Sequence, residues 1–125
     1  MTVPIDIAPL SRTRRGAVRA QHALALLIVA AVVLQVYLIG AYIFGAGADA
    51  LEAHRGVGFT THMLEVLTIV PALLARRDRL LALALGVLGT VQLALVDGDG
   101  WVGGLHPLFA MVVLALAFTL ARRSR

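Results

Sequence analysis

Four apolar runs, at residues 22–44, 54–75, 80–96 and 105–121, take up most of this chain. Each is near or above the ~17–20 residues that an α-helix needs to cross a hydrocarbon core of about 30 Å. A soluble domain of this length has no core large enough for so much apolar surface, because 60% of its 125 residues are hydrophobic and 14% charged, with a mean hydropathy of +0.91. Lipid is therefore the expected solvent. In lipid every backbone N–H and C=O must be paired within the protein, and no run alternates like a barrel strand, so the runs are expected to be helices. The expected fold is an all-α, integral-membrane, up-down-up-down four-helix bundle at residues 21–125, preceded by a polar cytoplasmic arm at residues 1–20.

Arginine supplies every basic residue, and its placement is asymmetric. Arg12, Arg14, Arg15 and Arg19 precede the first run, Arg76, Arg77 and Arg79 lie between the second and third, and Arg122, Arg123 and Arg125 follow the fourth. The other two connections carry Asp49, Glu52, Asp97 and Asp99, with Arg55 just beyond the first. Positive residues stay cytoplasmic, so both termini are expected inside and both glycine-rich acidic loops outside. The expected location is the plasma (inner) membrane, with several passes and the lipid bilayer as the constant partner. The net charge of +4 then reports orientation, and no basic, aromatic-interleaved surface exists for nucleic acid. Residues 46–48 resemble a signal cleavage site, but the apolar run before them exceeds the ~7–15 residues of a signal core and reads as a retained span.

The link 76–79 is short enough to make the second and third helices antiparallel neighbours. Pro4 and Pro9 mark the N-terminal arm, with an interfacial turn expected near residues 12–19. In the third run Ala82, Gly86 and Thr90 recur every fourth residue beside Gly89, which suits close helix–helix contact. Gln35 and Gln92 read as interhelical hydrogen-bonding residues, His22 as a headgroup contact, and Tyr37, Tyr42 and Trp101 as interfacial anchors.

Ionisable groups inside a membrane are costly and are candidates for function. With no cysteine, only His, carboxylate, Met, Tyr and hydroxyl chemistry remain. No catalytic triad order, phosphate loop or zinc-protease motif is present. His54 and His106 open the second and fourth runs, on one membrane side and at similar depth. A histidine pair from two helices of a bundle suits the axial positions of one haem, although a histidine at a helix start also serves as a plain interfacial residue. At about 100° per residue, Gly58, Thr61, Glu65 and Thr68 fall within roughly 40° of His54 and form an inward stripe. Ala110, on the face of His106, leaves room for a planar macrocycle. Arg55 is suited to pair with a propionate, and outer-loop carbonyls, Glu52 or Asp97 to orient the imidazoles. His62, rotated about 80° from His54 and some 12 Å deeper, has a separate role. With Glu65 and Gln35 it forms a candidate proton or polar network.

The segment Glu52-Ala53-His54-Arg55-Gly56-Val57-Gly58 resembles the histidine-arginine motif that opens the second helix in each half of haem A synthase-type membrane proteins. Leu105-His106-Pro107-Leu108-Phe109-Ala110 resembles the histidine-led start of the fourth helix in those bundles. The layout also resembles a small actinobacterial-type four-helix family with His-Arg-x-x-Gly and Leu-His-Pro segments at these places. The resemblance implies one cytochrome b-like unit binding b-type haem through His54 and His106. The synthases place glutamate three residues before the motif histidine and use two bundles, whereas Glu52 is two before His54 and this length holds one bundle. A binding protein that transfers electrons to a redox partner, not an enzyme, is the expectation. Two other readings stay open: a proton-coupled transporter acting as a homodimer, and an accessory subunit of a membrane complex.

Overall fold

The structure is a computed structural model that describes residues 10–125. Pro4 and Pro9 lie outside the described residues. All regular structure among the described residues is helical: α1 (Arg12–Ile43), α2 (Ala48–Leu67), α3 (Ile69–Ala75), α4 (Arg79–Ala94), α5 (Gly100–Gly103) and α6 (Leu105–Arg123). They form four rods, because α2 and α3 run on as one 28-residue helix and α5 leads directly into α6. Three rods are long and apolar enough to cross a membrane; the fourth, α4, has 16 residues and spans about 24 Å.

Two helix starts differ from the sequence expectation. Residues 12–20, expected to belong to a polar arm, are the opening turns of α1. The Ser11 hydroxyl accepts the Arg14 N–H at 3.3 Å, a side-chain cap on an otherwise unpaired amide. The Arg14 guanidinium donates to the Ala75 carbonyl from Nε (3.3 Å) and Nη2 (3.2 Å), which ties this extension to the end of α3. The second difference is at α2, which begins at Ala48, two turns before the expected position. Gly47, at φ 86, turns the chain where a Cβ would be strained. The helix-favouring Ala48, Ala50, Leu51 and Ala53 then continue, with Asp49 favourably placed in the first turn.

The break at Thr68 traces to Pro71. Its ring nitrogen has no hydrogen for the Leu67 carbonyl, and the ring crowds that turn. Thr68 answers locally, its hydroxyl donating to the Glu65 carbonyl at 2.7 Å. Pro107 lies in the first turn of α6, where a missing N–H costs little.

Packing runs α1 to α2, α2 to α4, α4 to α6 and α6 back to α1, with no close backbone approach across either diagonal. Consecutive rods are antiparallel, since the start of α1 meets the ends of α3 and α6 through Arg14–Ala75 and His22–Ala121 contacts. One half of the bundle is solid. Ala25, Ile28 and Val32 of α1 pack with Leu85 of α4 and Val113, Ala117 and Leu120 of α6. The expected small face of α4 is present, with Ala82, Gly86 and Gly89 buried and Thr90 turned outward. The outer surface is studded with large apolar side chains, among them Leu27, Val33, Val70, Leu80 and Phe118. Tyr37 and Trp101 are exposed as well.

The arginine-bearing end is closed by charge. The turn between α3 and α4 has two residues in the left-handed region, Arg76 (φ 55) and Asp78 (φ 53). Asp78 points inward, with 1% of its side chain exposed. Arg123 Nε of α6 lies 2.6 Å from its Oδ1, and Arg77 Nε lies 3.2 Å from Oδ2 at an angle short of a hydrogen bond. Arg77 also donates to the Arg123 carbonyl. Asp78→Asn keeps a residue that tolerates the left-handed turn but removes the charge. Because the arginines are half-exposed, the expected loss is about 1–3 kcal/mol, read as a lower thermal midpoint in detergent; an unchanged midpoint would remove the pair from the account of closure.

Candidate histidine-lined cavity

His54 belongs to α2 and His106 to α6, rods on opposite corners of the four-rod square. Their side chains therefore face across the bundle axis instead of packing along a shared seam. His54 is the seventh residue of α2, not its first, because the helix starts early; His106 is the second residue of α6. Both are half-buried.

The two imidazoles are held in the same way. His54 Nδ1 lies 3.1 Å from the Gln35 carbonyl of α1, and His106 Nδ1 lies 3.0 Å from the Gln92 carbonyl of α4. A carbonyl only accepts, so each Nδ1 must carry the proton and donate. Each Nε2 then keeps its lone pair, the tautomer suited to binding a metal. The ring centres are 6.4 Å apart with planes at 70°. The expected orienting groups were outer-loop carbonyls, Glu52 or Asp97. Helix carbonyls do this work instead, and Glu52 and Asp97 are exposed. Sequence had picked out Gln35 and Gln92 for their amides. Gln92 did carry a signal, since a residue in the last turn of a helix has a carbonyl without a full helical partner.

The histidines line a cavity of about 670 Å³ that occupies the half of the bundle away from the packed core. That volume lies within the roughly 300–1,000 Å³ range of ligand and cofactor pockets. Arg55, Gly58 and Ala110 line it, and so do Gln35, His62 and Glu65. Gly58 is close-packed: a Cβ there would meet Gln35 Nε2 at 2.6 Å. Glu65 is only 3% exposed, and His62 Nδ1 stands 3.5 Å from its Oε2. Of the two partners open to His62, Glu65 is the one it approaches. His62 Nδ1 and Gln35 Oε1 are both buried without a hydrogen-bond partner, which is costly for polar atoms. His22, expected at the headgroups, is at the other end of the bundle, with Nδ1 2.9 Å from the Ala121 carbonyl.

No group of three or more His, Asp or Glu side chains with metal-binding geometry occurs among the described residues. A bare zinc-type centre needs three or four protein ligands. Below the two imidazoles Gly89 is packed against Glu65, because a Cβ at residue 89 would overlap its carboxylate and stand 3.1 Å from His62 Nδ1, so the end of that side chain would have to move. Gly89→Ala should displace Glu65 or spread α2 from α4, at about 1–3 kcal/mol of stability; an unshifted denaturation midpoint would overturn that account. No family model, curated protein or solved structure matches this chain.

Proposed function

We propose that this protein is a multi-pass inner-membrane protein that binds one b-type haem between His54 and His106 and carries single electrons. The observation that carries the reading is the opposed, pre-oriented imidazole pair. Imidazoles bound through Nε2 at about 2.0–2.1 Å on opposite sides of a metal have ring centres roughly 6.3–6.5 Å apart. The pair here is 6.4 Å apart, with both Nδ1 atoms already committed to carbonyls. The likeness of the His54-Arg55 and His106-Pro107 segments to haem A synthase-type bundles points the same way.

The bound group would supply a reversible one-electron couple. The residues of the chain do the rest. His54 and His106 would hold the group through their Nε2 atoms, with the carbonyls of Gln35 and Gln92 fixing the tautomers. Gly58 and Ala110 line the cavity that the rings share. Arg55, exposed at the cavity, offers a guanidinium matched to a carboxylate. The apolar outer surface supports lipid as solvent, with the arginine end cytoplasmic.

A proton-coupled carrier is the second reading, favoured by the buried Glu65 and the unpartnered His62 Nδ1. The absorption spectrum separates the two. Protein expressed with ample haem and purified should have a Soret band and b-type bands on reduction, and His54→Ala or His106→Ala should each abolish the six-coordinate spectrum. A colourless wild-type protein overturns the haem reading. Orientation has its own check, since the chain has no cysteine. A single cysteine at Asp99 should react with an impermeant maleimide from outside intact cells, and one at Ser124 only after permeabilisation; the reverse pattern inverts the topology.

A further inference from the structure

We propose that Glu65, with His62 beside it, is a redox-linked proton site that takes up one proton when the cavity receives one electron. This rests on the haem reading above. Glu65 is the only carboxylate among the residues lining the cavity. The other titratable or charged lining groups are His54, Arg55 and His62 on α2 and His106 on α6, while the lining residues from α1 and α4 are uncharged. Across from Glu65 stand Gly86 and Gly89 of α4, which bring backbone against it and no compensating cation. Its one ionisable partner among the described residues is His62, at 3.5 Å.

The position has the features of a site that exchanges protons with its surroundings. A carboxyl group held only to fill space would have its oxygens paired. Here the nearest partner stands beyond good hydrogen-bond distance, and that partner's Nδ1 is itself orphaned. His62 also lines the cavity, and 13% of its side chain is exposed against 4% for Glu65, so an imidazole able to carry a proton at either nitrogen stands between Glu65 and the surface. The cavity joins this pair to His54 and His106.

The balance is simple. An external one-electron donor adds one negative charge to the site, and the Glu65 carboxylate gains one proton from water through His62, forming one O–H bond. When the electron leaves to a one-electron acceptor, that bond breaks and the proton returns. Glu65 follows His54 by eleven residues, about 16 Å along the helix. At that separation and an effective dielectric of about 20, one unit of charge changes proton affinity on the order of fivefold to tenfold. Reduction favours protonation, so the midpoint potential must fall as pH rises.

The test is a mediated redox titration of the haem-loaded protein between pH 5.5 and pH 9, at steps of about half a unit. The wild-type potential should fall by a total of about 40–60 mV, the equivalent of a fivefold to tenfold affinity change for a one-electron couple. Glu65→Gln, close to isosteric, should flatten the profile, and His62→Gln should slow or shift it. Redox-induced infrared difference spectra should contain a carboxylic-acid carbonyl band that is missing in Glu65→Gln. A normal b-type spectrum with a pH-independent wild-type potential overturns this inference alone. A wild-type slope and infrared band that persist in Glu65→Gln assign the proton elsewhere and overturn it too, whereas a colourless protein removes both this inference and the haem reading.

Discussion

Closure of the arginine-bearing end by a buried ion pair and by hydrogen bonds between rods stands beside an opposite end that stays hollow. Asp78 has its carboxylate buried between Arg77 and Arg123, which joins the α3–α4 turn to the end of α6. Arg14 joins α1 to the end of α3, and His22 joins α1 to α6. Beside these ties the interior is filled by Ala25, Ile28, Leu85, Val113 and Leu120. With that half secured, the other can devote its interior to polar side chains and open space. A uniformly packed bundle would be more stable but would have no room for a ligand.

The hollow half repeats one device twice. In the α1–α2 pair an imidazole of the second rod donates to a glutamine carbonyl of the first, and in the α4–α6 pair the same occurs. The two histidines stand on one diagonal of the square and the two glutamines on the other. This arrangement brings the two rings to 6.4 Å across the axis, although their helices are not packed neighbours. The repeat is hard to see along the chain, because histidine follows glutamine by 19 residues in one pair and 14 in the other. The difference lies in the helices, because α1 runs on to Ile43 after Gln35 and α2 begins at Ala48 before His54, whereas α4 ends at Ala94, just after Gln92.

Much of the candidate site was legible because side-chain periodicity maps directly onto a helix. The stripe from His54 through Thr61 and Glu65 to Thr68 faces inward, with the last three buried. The small face of α4 was legible for the same reason. What orients the imidazoles was not, since a backbone carbonyl is present at every residue and leaves no mark in residue type. Asp78 was equally hidden: among four charged residues it reads as a solvated turn, and only the approach of Arg123 from α6 turns it inward. The extra length of α1 also depends on a distant partner, the Ala75 carbonyl that receives Arg14.

The sequence by itself determined that the chain makes four apolar helices with polar groups confined to a few faces, because hydropathy and the 3.6-residue period are local properties. It also determined which side chains were available for chemistry, and with no cysteine that set is small. Only the tertiary structure decided that His54 and His106 meet across a diagonal, that Glu65 stands beside His62 at the cavity, and that one end of the bundle is packed while the other is open. Those outcomes depend on which rods become neighbours and on which carbonyls they expose to each other. Helix pairing is a non-local choice, made by the summed fit of small residues, caps and buried charge, and no single segment encodes it.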